Sequence, residues 1–180
     1  MPAPVNPRSI PAAPAAAPVA ECFSRSATAQ LLLDAGQVGA ARNAATHLQA
    51  ILQNSATAAA VSGQVALAEG RFEEALGYFH KTEGAWALIG VAMAEHSLGH
   101  AAASQAALDE LRTRYAGTLG YQIAEVYAWR GEDAQALTWL ERAFRQHDGG
   151  LVYVRHDRFF TNLRGAAAYR KLLVQLKLPP

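Results

Sequence analysis

The chain has 180 residues, with 16 basic against 15 acidic side chains, 40 alanines and 51% hydrophobic residues. It is long enough to bury a sizeable core, as one domain or as one short repeat array. Charges of both signs are interspersed, no apolar run approaches the ~18 residues of a bilayer span, and Cys22 is the single cysteine; this argues against a nucleic-acid footprint, a solvating acidic tail, a membrane anchor, an intramolecular disulfide and a cysteine-based zinc cluster.

Residues 1–20 are rich in alanine and proline, with prolines at 2, 4, 7, 11, 14 and 18. Proline fixes φ and removes backbone donors, so an extended, polyproline-like, disordered linker is expected there. The prolines also interrupt any apolar stretch too early for a secretory signal, and no basic cluster precedes one. A cytoplasmic location follows as the expectation.

From Glu21 the chain holds no proline until Pro179. The breakers that remain are glycines, four of them in comparable contexts: Ala35-Gly36-Gln37, Glu69-Gly70-Arg71, Leu98-Gly99-His100 and Arg130-Gly131-Glu132, at spacings of 34, 29 and 32 residues. Each ends one helical pattern and begins another, as a glycine in the left-handed position after a helix would. One helix–turn–helix per period of 30 to 35 residues marks a helical solenoid. Aligning the four glycines places Ala29, Gly63, Ala92 and Ala124 seven residues before them. Ala41, Ala75, Ser104 and Ala136 fall five after, and Ala45, Phe79, Leu108 and Leu140 nine after. Small residues at the first two positions allow close helix pairing, and the third offers an apolar knob to the next hairpin.

The pattern predicts helices near 22–35, 38–53, 56–69, 72–82, 85–98, 101–114, 118–130 and 133–146, so that 21–148 forms the repeat region. Segment 149–180 departs from the repeat and reads as a cap. Gly149-Gly150 breaks the chain, and Leu151 to Val154 reads as a short helical turn, because nothing else in the chain could pair with it as a strand. Phe160 and Leu163 are anchors, and a last helix over Ala166 to Lys177 turns Tyr169, Leu172, Leu173 and Leu176 to one face. Arg155-His156-Asp157-Arg158, beside Phe159 and Phe160, could bind an anionic group, but a solvated charged loop is the favoured reading.

These hairpins resemble tetratricopeptide repeats, most closely in the fourth, where Ala124, Tyr127, Gly131, Ala136, Leu140 and Ala143 occupy the motif's small, aromatic and apolar positions and Asp148 stands at its closing proline. The tail, Asp157-x-x-Phe160-x-x-Leu163-Arg164, Tyr169-x-x-Leu172-Leu173 and Leu178-Pro179, is similar to the end of repeat modules found C-terminal in bacterial signalling proteins: nucleotide cyclases, Ser/Thr kinases and winged-helix regulators. Arg158, Asn162 and Ala167 stand where such tails usually carry proline. The resemblance spans about residues 22–179. It implies an all-α fold, a right-handed solenoid of about four hairpins with a C-terminal capping helix, and a protein-binding scaffold.

In that family the first helix of each hairpin lines a concave groove, which here places Gln30, Asp34, Gln64, Trp86, Met93, His96, Tyr121, Glu125 and Trp129 toward a partner. Trp and Tyr carry disproportionate binding energy, although each can equally be an ordinary packing residue. The expected function is non-enzymatic: an adaptor that seats a peptide or partner helix. A regulatory domain of a larger signalling or transcription-regulator protein and a secretion-type chaperone are the alternatives. No cofactor, metal, nucleic acid, membrane or small-molecule substrate is expected, while self-association stays open. His96 and His100 have i,i+4 spacing, but Gly99 separates them at a helix end and no third ligand completes a metal set. No phosphate-binding glycine loop or nucleophile elbow is present.

Overall fold

A computed structural model describes residues 27–52 and 55–179. The Ala/Pro-rich stretch 1–20 and Cys22 lie outside them. The described chain is helical throughout, without a strand. Residues 27–34 are helical (α1). There follow α2 (Val38–Ile51), α3 (Ala56–Ala68), α4 (Phe72–Phe79), α5 (Gly84–Ser97), α6 (Ala101–Tyr115), α7 (Gly120–Trp129) and α8 (Asp133–Arg145). Two 3₁₀ turns, Gly149–Tyr153 and Arg158–Leu163, lead to α9 (Ala167–Gln175). Each expected helix is present with ends within a few residues of its predicted range, save that the expected start of the first, at 22, lies outside the described residues.

The turns form as the glycine spacing requires. Gly36, Gly70, Gly99 and Gly131 have φ between 72° and 81°. At each, the following N–H reaches back to close a Schellman motif: Gln37 donates to the Leu32 carbonyl (2.8 Å), and Arg71 to Ala66, His100 to Glu95 and Glu132 to Tyr127 (each 2.9 Å). A side chain at such φ costs energy that glycine avoids. The helix ends after α8 and α9 use the same bond pattern on His147 and Lys177, at φ 55° and 57°.

Packing follows the small residues. All the aligned alanines, Ser104 and the apolar knobs behind them are buried. Ser104 tucks its hydroxyl against the Ala92 carbonyl at 2.7 Å, which lets α6 lie close on α5. Adjacent helices pair: α3 with α4, α5 with α6, and α7 with α8. Helices α3, α5 and α7 bury residues around most of their circumference, whereas α4, α6 and α8 keep polar outer faces. The first set touches along the array, α3 on α5 and α5 on α7, and the second set makes no comparable contacts. Helices α3, α5 and α7 thus form an inner row.

Phe79 is the wedge between hairpins. Its ring, 2% exposed, lies where a Cβ on Gly63 or Gly90 would stand. At the Gly70 turn Arg42 of α2 and Arg71 both bind the Glu69 carboxylate. The core divides in two: a small alanine-rich cluster of α1, α2 and the start of α3, and a larger one running from the end of α3 to α9. The C-terminal segment packs on α7 and α8. Leu151, Val154, Phe160, Leu163, Tyr169, Leu172 and Leu173 are buried, Phe160 meets Tyr121 edge-on at 5.4 Å, and Tyr169 donates its hydroxyl to the Val154 carbonyl at 2.5 Å.

Candidate functional site: the concave cavity

The inner row and the two ends of the described chain enclose a cavity of about 390 Å³. Gln30, Leu31 and Asp34 of α1 form one wall; Gly149, Gly150, Tyr153, Asp157 and Phe159 of the C-terminal segment form the opposite one. Between them lie Gln64 and Leu67 of α3, Phe79, Trp86, Ile89, Gly90 and Met93 from α4 and α5, and Tyr121, Gln122 and Glu125 of α7. The fold thus brings the first helix opposite the 3₁₀ turns, about 120 residues later in sequence.

Of the nine residues read toward the groove, Gln30, Asp34, Gln64, Trp86, Met93, Tyr121 and Glu125 line this cavity. Trp86 is 52% exposed, while Met93 and Tyr121 are buried in its floor. His96 and Trp129 are not among the lining residues. His96 is exposed on α5, and its i,i+4 neighbour His100 pairs with Glu95 at 2.7 Å. Trp129 is committed to packing: its indole N–H donates to the Met93 carbonyl (3.1 Å) and the Ser97 hydroxyl (3.0 Å), and its ring stands edge-on to Phe159 at 5.8 Å.

A second correction concerns Arg155 to Arg158. Rather than a solvated loop, this stretch sends Asp157 inward, where it is 5% exposed. One carboxylate oxygen accepts the Tyr121 hydroxyl at 2.6 Å, and the other accepts the Phe159 N–H at 2.8 Å and so caps the second 3₁₀ turn. Asp148 does the same for the first turn, accepting the Gly150 N–H at 2.9 Å, and also accepts the Tyr121 N–H at 3.0 Å. The Asp-x-Gly and Asp-x-Phe turns were the available signal, since aspartate bonding the backbone two residues on is a local preference. Gly150 is required by the same arrangement, because a Cβ there would stand 2.5 Å from the Tyr121 ring.

Asp157, Glu125 and Asp34 therefore crowd together near the Arg158 guanidinium, which lies 4.6 Å over the Phe159 ring with Nε and Nη2 buried and unpartnered. Burial, then the Asp157 charge, pushes the Glu125 carboxyl well above the ordinary range, and a hydrogen bond to Asp157 holds its proton. Burial and Asp157 likewise raise Asp34, with the Gln30 amide at 3.1 Å opposing them. Burial, with Asp157 and Glu125 adding to it, raises the Tyr121 phenol, so Tyr121 is a neutral donor. Burial lowers the Arg158 guanidinium, against the pull of the three carboxyls.

A pH dependence follows. Below the ordinary carboxyl value, folded and unfolded chains both hold the Glu125 proton, and it contributes nothing to the pH dependence. Above that value the folded chain keeps a proton the unfolded chain has released, so stability falls as pH rises until Glu125 ionises in the folded state. Glu125→Gln is expected to leave stability at pH 4 nearly unchanged and to raise it at pH 8, flattening the profile of denaturation midpoint against pH. An unaltered profile would contradict the protonated carboxyl.

Among the described residues no group of three His, Cys, Asp or Glu side chains could hold a metal ion, and no helix is long and apolar enough to cross a membrane. Comparison with family models, curated proteins and solved structures finds no match for this chain.

Proposed function

We propose that this chain is a non-enzymatic adaptor of the tetratricopeptide type, a right-handed solenoid of about four hairpins with a capping helix, and that it seats a peptide of a protein partner on its concave face. The observation that carries this reading is the cavity itself: mostly apolar, about 390 Å³, with the Trp86 ring exposed at a wall whose floor is Met93 and Tyr121. That volume falls within the ~300 to 1,000 Å³ of typical ligand pockets. Walls on two opposite sides suit a narrow extended segment that inserts one or two side chains better than a whole helix, which is about 10 to 12 Å across with its side chains. Exposed tryptophan beside buried apolar surface is a common binding anchor.

Trp86 is the residue to test, because Trp129 is tied into the fold. Trp86→Ala should weaken a captured partner by about 2 kcal/mol, roughly thirtyfold in Kd, while the melting temperature stays within a few degrees. Capture from extract of the source cells, followed by titration of the recovered partner, measures this. Equal affinity of the variant would remove the cavity from the function.

A further inference from the structure

Beyond the Leu31–Asp34 wall and Tyr153, which it shares with the central cavity, a second groove of about 800 Å³ runs between α1, the first 3₁₀ turn and α9. Its polar lining is mainly basic: Arg155, His156, Arg164 and Arg170, with Asp34 as the single carboxylate. Its apolar lining is unusually open. Leu31, Val152 and Tyr153 are 59%, 70% and 57% exposed, half of the large hydrophobic residues that stand exposed among the described ones. Contiguous apolar surface rimmed by one sign of charge marks an interaction site more often than chance exposure does.

Charge along the chain is also less even than its total implies. Residues 149–180 hold six basic side chains and one acidic, whereas residues 1–148 hold ten basic and fourteen acidic. The arginines of α2 to α8 largely have carboxylate partners, as in Arg42–Glu69, Arg112–Asp109, Arg114–Glu110 and Arg130–Glu132. Arg155, Arg164 and Arg170 have no ion pair among the described residues. Unpaired arginines gathered on one concave surface present donors to carboxylates that the chain itself does not supply.

We propose that this groove is a second docking surface, for an acidic peptide segment of a partner protein that carries apolar anchors among its carboxylates. The arginines match the acids, and Leu31, Val152 and Tyr153 match the anchors. The groove's concavity favours a peptide over a lipid surface, which is planar on this scale and would not reach arginines set along the groove walls. Asp34 disfavours an acid at the junction with the central cavity, so the carboxylates of the segment lie toward Arg164 and Arg170. The proposal does not depend on the central cavity being occupied.

Panning a random displayed-peptide library against the full chain tests it. The expected result is enrichment of sequences rich in Asp and Glu with spaced Leu, Phe or Trp. A synthetic copy of the enriched peptide should bind in fluorescence anisotropy, more weakly as salt is raised. Arg164→Glu with Arg170→Glu should weaken it by roughly tenfold, and Arg164→Gln with Arg170→Gln by less. Both arginines are exposed, so helicity and melting temperature should be kept. Trp86→Ala should leave this affinity unchanged, which separates the groove from the central cavity. Enrichment of neutral or basic peptides, or equal binding by the charge-reversed variant, would overturn the proposal. So would charge-dependent binding to phosphatidylserine vesicles without any acidic peptide being retained.

Discussion

Gly90→Ala should destabilise the protein more than any other single methyl group added to a helix interior. An ideal Cβ on Gly90 would stand 2.2 to 2.4 Å from three atoms of the Phe79 ring. The ring cannot retreat, because on its other flank it approaches Gly63, whose own Cβ position lies 2.8 Å from it. Over-packing of this kind typically costs about 1 to 3 kcal/mol, and the upper end is expected where the clash is with an aromatic ring in a buried wedge. In a chain of this size that lowers the melting temperature by roughly 6 to 12 °C. Gly77→Ala is the matched control. Nothing lies within 4 Å of its Cβ position, so the helix-propensity gain of about 0.5 to 1 kcal/mol should appear as stabilisation. Thermal melts of the two variants should move in opposite directions. Equal shifts would mean that Phe79 does not fill the gap between α3 and α5.

Asp157→Ala is the second large effect, at about 3 kcal/mol or more in chemical denaturation. The substitution strands the buried Tyr121 hydroxyl and the Phe159 N–H, both of which Asp157 accepts, and removes a carboxylate that lies near the Arg158 guanidinium. Unsatisfied buried donors cost about 1 to 3 kcal/mol each, and two are stranded at once. Tyr121→Phe should cost distinctly less, because it deletes the donor along with the bond and leaves Asp157 its other partners. A value within about 0.5 kcal/mol of wild type, as for an ordinary surface substitution, would return Asp157 to the solvated loop that its neighbours in sequence suggest.

The contrast between these two sites explains what the sequence could and could not reveal. The wedge was legible: counting from the four turn glycines put Phe79 at a knob position and Gly63 and Ala92 at small ones, and all three are buried or in close contact. Helical punctuation is local chemistry, so a single chain displays it. Asp157 was legible only as a turn residue, because its principal partner, Tyr121, lies 36 residues away and only the packing of the C-terminal segment on α7 brings them together. Trp129 failed for a related reason. Its position on α7 pointed inward, but an indole N–H seeks an acceptor, and the Met93 carbonyl and Ser97 hydroxyl drew it into the seam with α5. The cavity's far wall was missed because it belongs to the C-terminal turns, which carry no repeat register. The basic bias of 149–180 was open to simple summation and was hidden by a near-zero total.

The concave face as the working surface is tested most directly by hydrogen exchange on the full chain, free and with its captured partner. Slowed exchange should concentrate in α1, α3, α5, α7 and the two 3₁₀ turns, elements that border the cavity. Protection confined to the outer helices α6 and α8, with the cavity-bordering elements unchanged, would contradict it.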